Sequence, residues 1–253
     1  MKGRQLDFWL SRGFYRMPQR GSPSAVNTCD FVFFDNFIYP VQWLRLRLSD
    51  VDYGPSQRRL LRTNARFSAS VRPFVLNPEA EELFRQYRAA ITFDTYRSLR
   101  ECLFDDSGQN PFDSYSIEIR DGDRLIAFGV FDAGVGSIAG IVNVYHPNYH
   151  KYSPGKYLML LKIDFARSRG LTYYYPGYIV SYYPKFDYKL YPCPAATEIY
   201  DSRNGLWLPF SWETAEALSG ALLNDLQANY PKGEFPFVVG GGNSIKDESD
   251  AIQ

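Results

Sequence analysis

Four arginines, Arg58, Arg59, Arg62 and Arg66, recur at spacings of three and four residues, so at least three share one face of a helix. A guanidinium meets phosphate as a two-point fork. Such a stripe, with few acids beside it, is either a surface for a polyanion such as RNA or a face drawn to the acidic remainder of the chain. Ser153-Pro154-Gly155 precedes a second helical pattern and is either an anion site built from unpaired backbone N–H groups or an ordinary helix start. The only histidines are His146 and His150, and no nucleophile-elbow motif is present, so the sequence lacks the pattern of Ser-His-Asp or Cys-His catalysis. Cys29, Cys102 and Cys193 form no CxxC pair, which argues against a disulfide framework or a standalone zinc site and for a reducing, cytoplasmic setting.

The formal net charge is zero, but it is unevenly spread. Residues 1–100 carry 16 Lys and Arg against 9 Asp and Glu, and the balance is reversed in the rest. A basic first part suggests an anionic partner for one face. Hydrophobic residues make up 45% of the chain, enough for a sizeable core. No apolar run approaches the roughly 20 residues of a membrane helix. Met1-Lys2-Gly3-Arg4-Gln5 leads into no apolar stretch of the kind a secretory signal has.

The elements that must position these residues emerge from patterning. Residues 18–28 read as a loop, and residues 29–49 are strand-like. After Gly54-Pro55, Ser56 is the expected N-cap of the arginine-bearing helix. Asn77-Pro78 opens another helix, whose pattern runs, with a break, to about Phe104. Tyr115–Arg120, Leu125–Phe131 and Ser137–Tyr145 form an antiparallel meander, with Asp121-Gly122 as its first turn. A helix from about Lys156 to Arg169 ends at Gly170, and Leu171–Tyr175 is a strand that Pro176-Gly177 interrupts. Residues 180–210 read as irregular and aromatic. Ser211 caps a last helix, and residues 240–253 are expected to be a flexible tail. This order predicts an α+β domain with a mixed, mainly antiparallel sheet and flanking helices, and it fits a GNAT-like acyltransferase fold. The expected division is a basic amino-terminal region (1–72), an acyltransferase-like domain (73–239) and the tail.

Three stretches together resemble the arginyl-tRNA–protein transferase family, including its leucyl-transferring branch. They are Trp9-Leu10-Ser11-Arg12-Gly13-Phe14-Tyr15-Arg16, then Ser56-Gln57-Arg58-Arg59 with Asn64, and then Gly170–Tyr178 with Lys185-Phe186-Asp187-Tyr188-Lys189 and the later Glu198. Asp132 and Tyr145-His146-Pro147 stand where the family has strand ends. The match covers most of residues 8–210. One departure is plain: the family's clustered amino-terminal cysteines are reduced here to Cys29, so no metal or iron–sulfur centre is expected, and no other cofactor.

The resemblance implies a monomeric enzyme with no membrane partner. It takes an amino acid, arginine or leucine, from charged tRNA to the N-terminal α-amine of acceptor proteins, marking them for degradation. The reaction needs an acceptor for one ammonium proton and donors for a tetrahedral oxyanion. Asp132, Asp187 and Glu198 are the candidate bases. The alternative for Asp132 is a turn former, and for Glu198 a salt bridge to Lys185 or Lys189. Tyr178 and Tyr188 are either oxyanion donors, platforms for the terminal adenine, or core residues. Lys185 and Lys189 either neutralise an acidic first residue of the acceptor or a tRNA phosphate, or form a solvated face. Arg58, Arg59, Arg62 and Arg66, with the Ser153–Gly155 turn, are the expected tRNA contacts. Two other classes remain: a non-catalytic RNA- or peptide-binding relative, and an acetyl-CoA-dependent acetyltransferase, for which a single glycine at 155 makes a poor pyrophosphate loop.

Overall fold

The computed structural model describes residues 1–17, 26–34, 36–93, 95–105, 107–230 and 238–240. In chain order the elements begin α1 (Arg4–Leu10), β1 (Tyr15–Arg16), β2 (Val26–Asn27), β3 (Phe31–Phe34), β4 (Phe37–Arg47), α2 (Pro55–Asn64), β5 (Ser68–Pro73), α3 (Pro78–Ala90) and α4 (Leu99–Leu103). They continue β6 (Ser114–Asp121), β7 (Arg124–Ala133), β8 (Ser137–Tyr145), α5 (Pro154–Ser168), β9 (Tyr173–Val180), β10 (Thr197–Asp201), β11 (Leu206–Pro209), α6 (Trp212–Ala228) and β12 (Val238–Val239). Short 3-10 helices span Pro147–Tyr152, ahead of α5, and Pro184–Leu190, after β9. Among the described residues, no helix is long and apolar enough to cross a membrane.

One mixed sheet organises the molecule. Its path runs β11-β10-β4-β9-β8-β7-β6-β5, and β3 and β12 also pair with β4. Along the path only β8 and β9 are parallel, because α5 carries the chain back across the sheet between them. The architecture is α+β, mainly antiparallel with flanking helices. β7 fills both faces of the sheet, with register shifts against β6 and β8 that break strict alternation. Ile126 and Phe131 join Leu158, Ile163 and Ala166 of α5. Leu125, Phe128 and Val130 join Leu83 and Phe84 of α3 and Leu99 of α4.

The central strand comes from the basic first part of the chain. β4 lies between β9 and β10, and β5 closes the far edge. The boundary expected after residue 72 therefore falls inside β5, within one continuous sheet. The Trp9–Arg16 stretch fastens the amino terminus to this sheet. Gly13 adopts φ +74° with the Tyr200 ring so close that a Cβ would lie 2.4 Å from it. Tyr15 stacks on Trp43 at 3.8 Å and donates to the Leu44 carbonyl.

Several local expectations change. Gly54, not Ser56, occupies the N-cap of α2, because Pro55 takes the first helical position, where its missing N–H costs nothing. Asn77 caps α3 as expected, accepting from the Ala80 N–H at 2.9 Å. The helical pattern to Phe104 is two helices, with Ser98 starting the second by accepting from the Glu101 N–H. Pro176-Gly177 does not end a strand: β9 passes through it with a register shift opposite Leu44 and Leu46. Residues 180–210 are not irregular throughout, since β10 and β11 form a hairpin there that docks on β4. Residues 241–253 of the expected tail lie outside the described residues.

Candidate active site where two parallel strands part

β8 and β9 pair only through Ser137–Ala139 and Tyr173–Tyr175. Beyond that, β8 runs beside β7 to Tyr145 and β9 runs beside β4 to Val180, so the sheet opens in a V. Both strands carry the cause. The β7–β8 register jumps from Val130↔Val142 to Phe131↔Gly140, leaving Ile141 as an extra residue. β9 carries its own extra residue at Tyr175-Pro176 opposite Arg45. A bulge bends its strand and ends pairing, which is what separates these two. Gly177 sits at φ +101°, open to glycine and little else.

The 3-10 helix Pro184–Leu190 folds back over β9 and brings Lys189 into this opening. The Lys189 ammonium donates to the Tyr178 carbonyl at 2.7 Å and lies 4.5 Å from the Tyr178 ring centre and 4.8 Å from that of Phe186. Burial among these rings pulls its pKa down to about 7, so Lys189 exists as both amine and ammonium near neutral pH. Tyr188 exposes 44% of its surface, yet desolvation dominates the upward shift at its hydroxyl, so one ring face is open while the hydroxyl end turns inward. It interacts electrostatically with Tyr87, Tyr145, Tyr174 and Tyr178. Burial raises all five phenols, Tyr178 to about 12, so each stays a protonated donor. Hydroxyl donors such as those of Tyr178 and Tyr188 suit an oxyanion, a phosphate or a sugar edge, and an amine that titrates near neutrality can hold or accept a proton.

Tyr178, Tyr188 and Lys189, singled out from the sequence, are thus brought together. Tyr87 of α3, Tyr145 of β8 and Tyr174 of β9 itself join them. In a chain with 20 tyrosines no sequence signal separates these from core residues. Lys185 departs from the group: it is exposed, with its ammonium 4.0 Å from the Phe93 ring centre. Asp187 is half-buried, and burial lifts its carboxyl to about 6.

The other two carboxylates are both held in ion pairs with arginines. Asp132 is fully buried, receives Arg16 at 3.0 and 3.1 Å, and also accepts from the Ser114 hydroxyl. With both oxygens engaged, it ties the Arg16 segment of the amino terminus to β7. Glu198 pairs with neither Lys185 nor Lys189. Arg45 and Arg47 hold it at 2.5 and 2.6 Å, near the opposite end of β9 from Tyr178.

Beside the V, α2 is docked by its two buried amides. Gln57 donates to the Tyr191 carbonyl, and Asn64 donates to the Tyr152 carbonyl at 3.0 Å. This leaves Arg58, Arg59, Arg62 and Arg66 exposed. Among the described residues, only Arg58 of the four has a carboxylate partner, Asp52 at 3.9 Å. Asn64 thereby ties α2 to Tyr152, the residue before the Ser153-Pro154-Gly155 turn where α5 begins. Ser153 is exposed in a left-handed conformation and caps nothing with its side chain.

Among the described residues, no group of three or more His, Cys, Asp and Glu is placed to hold a metal ion. Burial raises the Cys29 thiol to about 11, against the thiolate a metal requires. Metal analysis of the purified protein is expected to find no stoichiometric iron or zinc, since one thiolate falls short of the about four ligands of a closed site. About one equivalent, lost on Cys29→Ser, would overturn this.

Residues 79–196 match the family described as arginine-tRNA-protein transferase, C terminus. An aspartate/glutamate leucyltransferase from Nitrosococcus oceani is 32% identical over 141 residues, covering 53% of this chain and 58% of that protein. Another of the same name, from Paracoccus denitrificans, is 29% identical over 181 residues, covering 65% of this chain and 63% of that protein. The chain therefore spans less than two thirds of the length of these relatives. A solved structure, L-PGS from Bacillus licheniformis, superposes with a TM-score of 0.44 at 12% identity, covering 73% of this chain and 66% of that one. The matched residues 79–196 carry the parting strands, α5 and the Lys189 segment, and it is over this part that the chain is similar to arginyl- and leucyl-tRNA–protein transferases.

Proposed function

We propose that this protein is an aminoacyl-tRNA–protein transferase, and that it transfers leucine to acceptors beginning with Asp or Glu. The observation that carries this is the family match over the segment that builds the V. The name shared by the relatives supports leucine and acidic acceptors. A GNAT-like reading of the fold rests on the same parting of parallel strands. The acceptor amine attacks the ester carbonyl, the bond to the ribose oxygen breaks, the amine loses one proton and the ribose oxygen gains one. The ester is already activated, so placement and charge stabilisation are the protein's main tasks. The phenols of Tyr178 and Tyr188 are positioned to donate to the oxyanion, and Lys189 to face an acidic first residue. The Arg58–Arg66 stripe, continued by Lys151 and by Lys156 at the start of α5, leads a tRNA 3′ end toward the V.

A matrix of leucyl- and arginyl-tRNA against peptides beginning with Asp, Glu, Ala and Arg tests the reading. Transfer of labelled leucine to the acidic peptides is expected. Tight tRNA or peptide binding without transfer would favour a non-catalytic relative, a reading supported by the engagement of both Asp132 and Glu198 in ion pairs. For the stripe, Arg58→Ala with Arg59→Ala is expected to weaken tRNA binding and to lower the salt slope by about one unit per lost contact. Unchanged affinity and slope would make the stripe a scaffold surface.

A further inference from the structure

Lys162 lies in the middle of α5, among Leu158, Met159, Ile163 and Ala166, all buried. Its own side chain is fully buried. An apolar residue would fill this position without the cost of burying a charge. Burial pulls the Lys162 amine down to about 7, against the opposing pull of Asp132. The ammonium donates to the Val130 carbonyl at 2.8 Å, to Asn143 Oδ1 at 2.8 Å and to the Val142 carbonyl at 3.4 Å.

Those acceptors are not scattered. Val130 and Val142 are register partners at the edge of the β7–β8 bulge, and Val142 lies three residues past Ala139, the last residue of β8 that pairs with β9. Asn143 turns its amide N–H to the Gly155 carbonyl in the first turn of α5, at 3.2 Å. A bulge disrupts the ladder, and buried carbonyls there need donors from elsewhere. An ammonium supplies three N–H groups for these three acceptors. Gly129 makes room for the arrangement: a Cβ there would lie 2.6 Å from Asn143 Oδ1 and 3.0 Å from Lys162 Cε.

We propose that Lys162 is a positioning residue that holds the β7–β8 bulge and, through Asn143, fixes the Gly155 turn at the mouth of the V. Lys162 touches no substrate. It sets where β8 diverges and where α5 begins, and hence the spacing of the Tyr145 hydroxyl and the α5 amides around the aminoacyl ester. This rests on the transferase reading for its effect on rate, but not for its effect on structure.

Lys162→Met, Lys162→Gln and Asn143→Ala test it, by steady-state transfer and by amide hydrogen exchange of peptides covering residues 140–145 and 153–158. Misplacement of reacting groups by about 1 Å costs on the order of 10²-fold. Lys162→Met is therefore expected to lower kcat about 10- to 100-fold with KM for charged tRNA within about twofold, and to speed exchange in those two segments. Lys162→Gln keeps two N–H donors and is expected to restore part of kcat and of the protection. Adding Asn143→Ala to Lys162→Met is expected to cost little more than either alone, as for residues acting in one chain. Unchanged exchange in both segments, losses that multiply, or no rescue by Lys162→Gln would overturn the proposal. If the unaltered protein transfers nothing from any charged tRNA, the transferase reading fails while the exchange data still decide the role of Lys162. Should Lys162→Met not fold, Lys162→Gln and Asn143→Ala carry the same test.

Discussion

Replacing Lys189 with Met is expected to cut kcat/KM for an Asp-initiated acceptor by about 10- to 150-fold, the equivalent of about 1.5–3 kcal/mol for a lost charge-assisted hydrogen bond. For an Ala-initiated acceptor the loss is expected to be several-fold, from the unpaired Tyr178 carbonyl. The pH dependence gives the sharper check. Only the ammonium form attracts a carboxylate, and the folded-state pKa of Lys189 is about 7. The ratio of kcat/KM for Asp over Ala acceptors should be largest below pH 7 and fall as pH rises through that value. Taking the ratio cancels the titration of the acceptor α-amine, which both peptides share. In Lys189→Met the ratio should be flat. A ratio that rises with pH in the unaltered protein would instead make the neutral amine the working form, and Lys189 the proton acceptor.

Arg16→Met is expected to destabilise the fold by about 3–5 kcal/mol, the usual cost of leaving one half of a buried ion pair unmatched. Asp132 would keep Ser114 but lose both guanidinium contacts, at a position with no solvent to take their place. Urea denaturation measures the loss. Asp132→Asn should destabilise in the same direction, by leaving the 6%-exposed Arg16 side chain without its anion. Activity per folded molecule should then fall far less than for Lys189→Met. An Asp132→Asn protein with full stability and a lost basic limb in its pH–rate profile would restore Asp132 as a catalytic base.

Local signals in the sequence located most elements, because local chemistry makes them. Asn77 and Ser211 cap their helices, Gly122 takes φ +58° in the first hairpin, and Gly170 takes φ +68° after α5. What escaped was set by distance along the chain. Asp132 reads as a strand-end acid until Arg16, 116 residues earlier, is seen against it. Glu198 lies near Lys185 and Lys189 in sequence, yet strand pairing places it opposite Arg45. β10 is short and comes after two prolines, so only its docking on β4 reveals it as a strand. Of the candidate site, Gly170–Tyr178, Lys185–Lys189 and Tyr145-His146-Pro147 were visible as motifs, though without a role for Tyr145 or Tyr174. Tyr87 was not, since nothing in its spacing marks an approach to Tyr188.

β4 makes the order of synthesis matter. This strand is made early, and most of its residues end buried, including Ile38, Val41, Trp43, Leu44 and Leu46. Its two flanking partners in the sheet path, β9 and β10, leave the ribosome more than a hundred residues later. Until then β4 has only β3 beside it among the strands already made, and presents an apolar ribbon of the kind that pairs with other chains. Closing so wide a loop before any reward makes this a slow nucleus. A nascent chain therefore carries the basic helix α2 well before β9 is there to form the V beside it. Truncation shows the same dependence from the other side: a fragment starting after β5 would keep Lys189 and the tyrosines but leave β9 and β10 as two bare edges facing an empty lane.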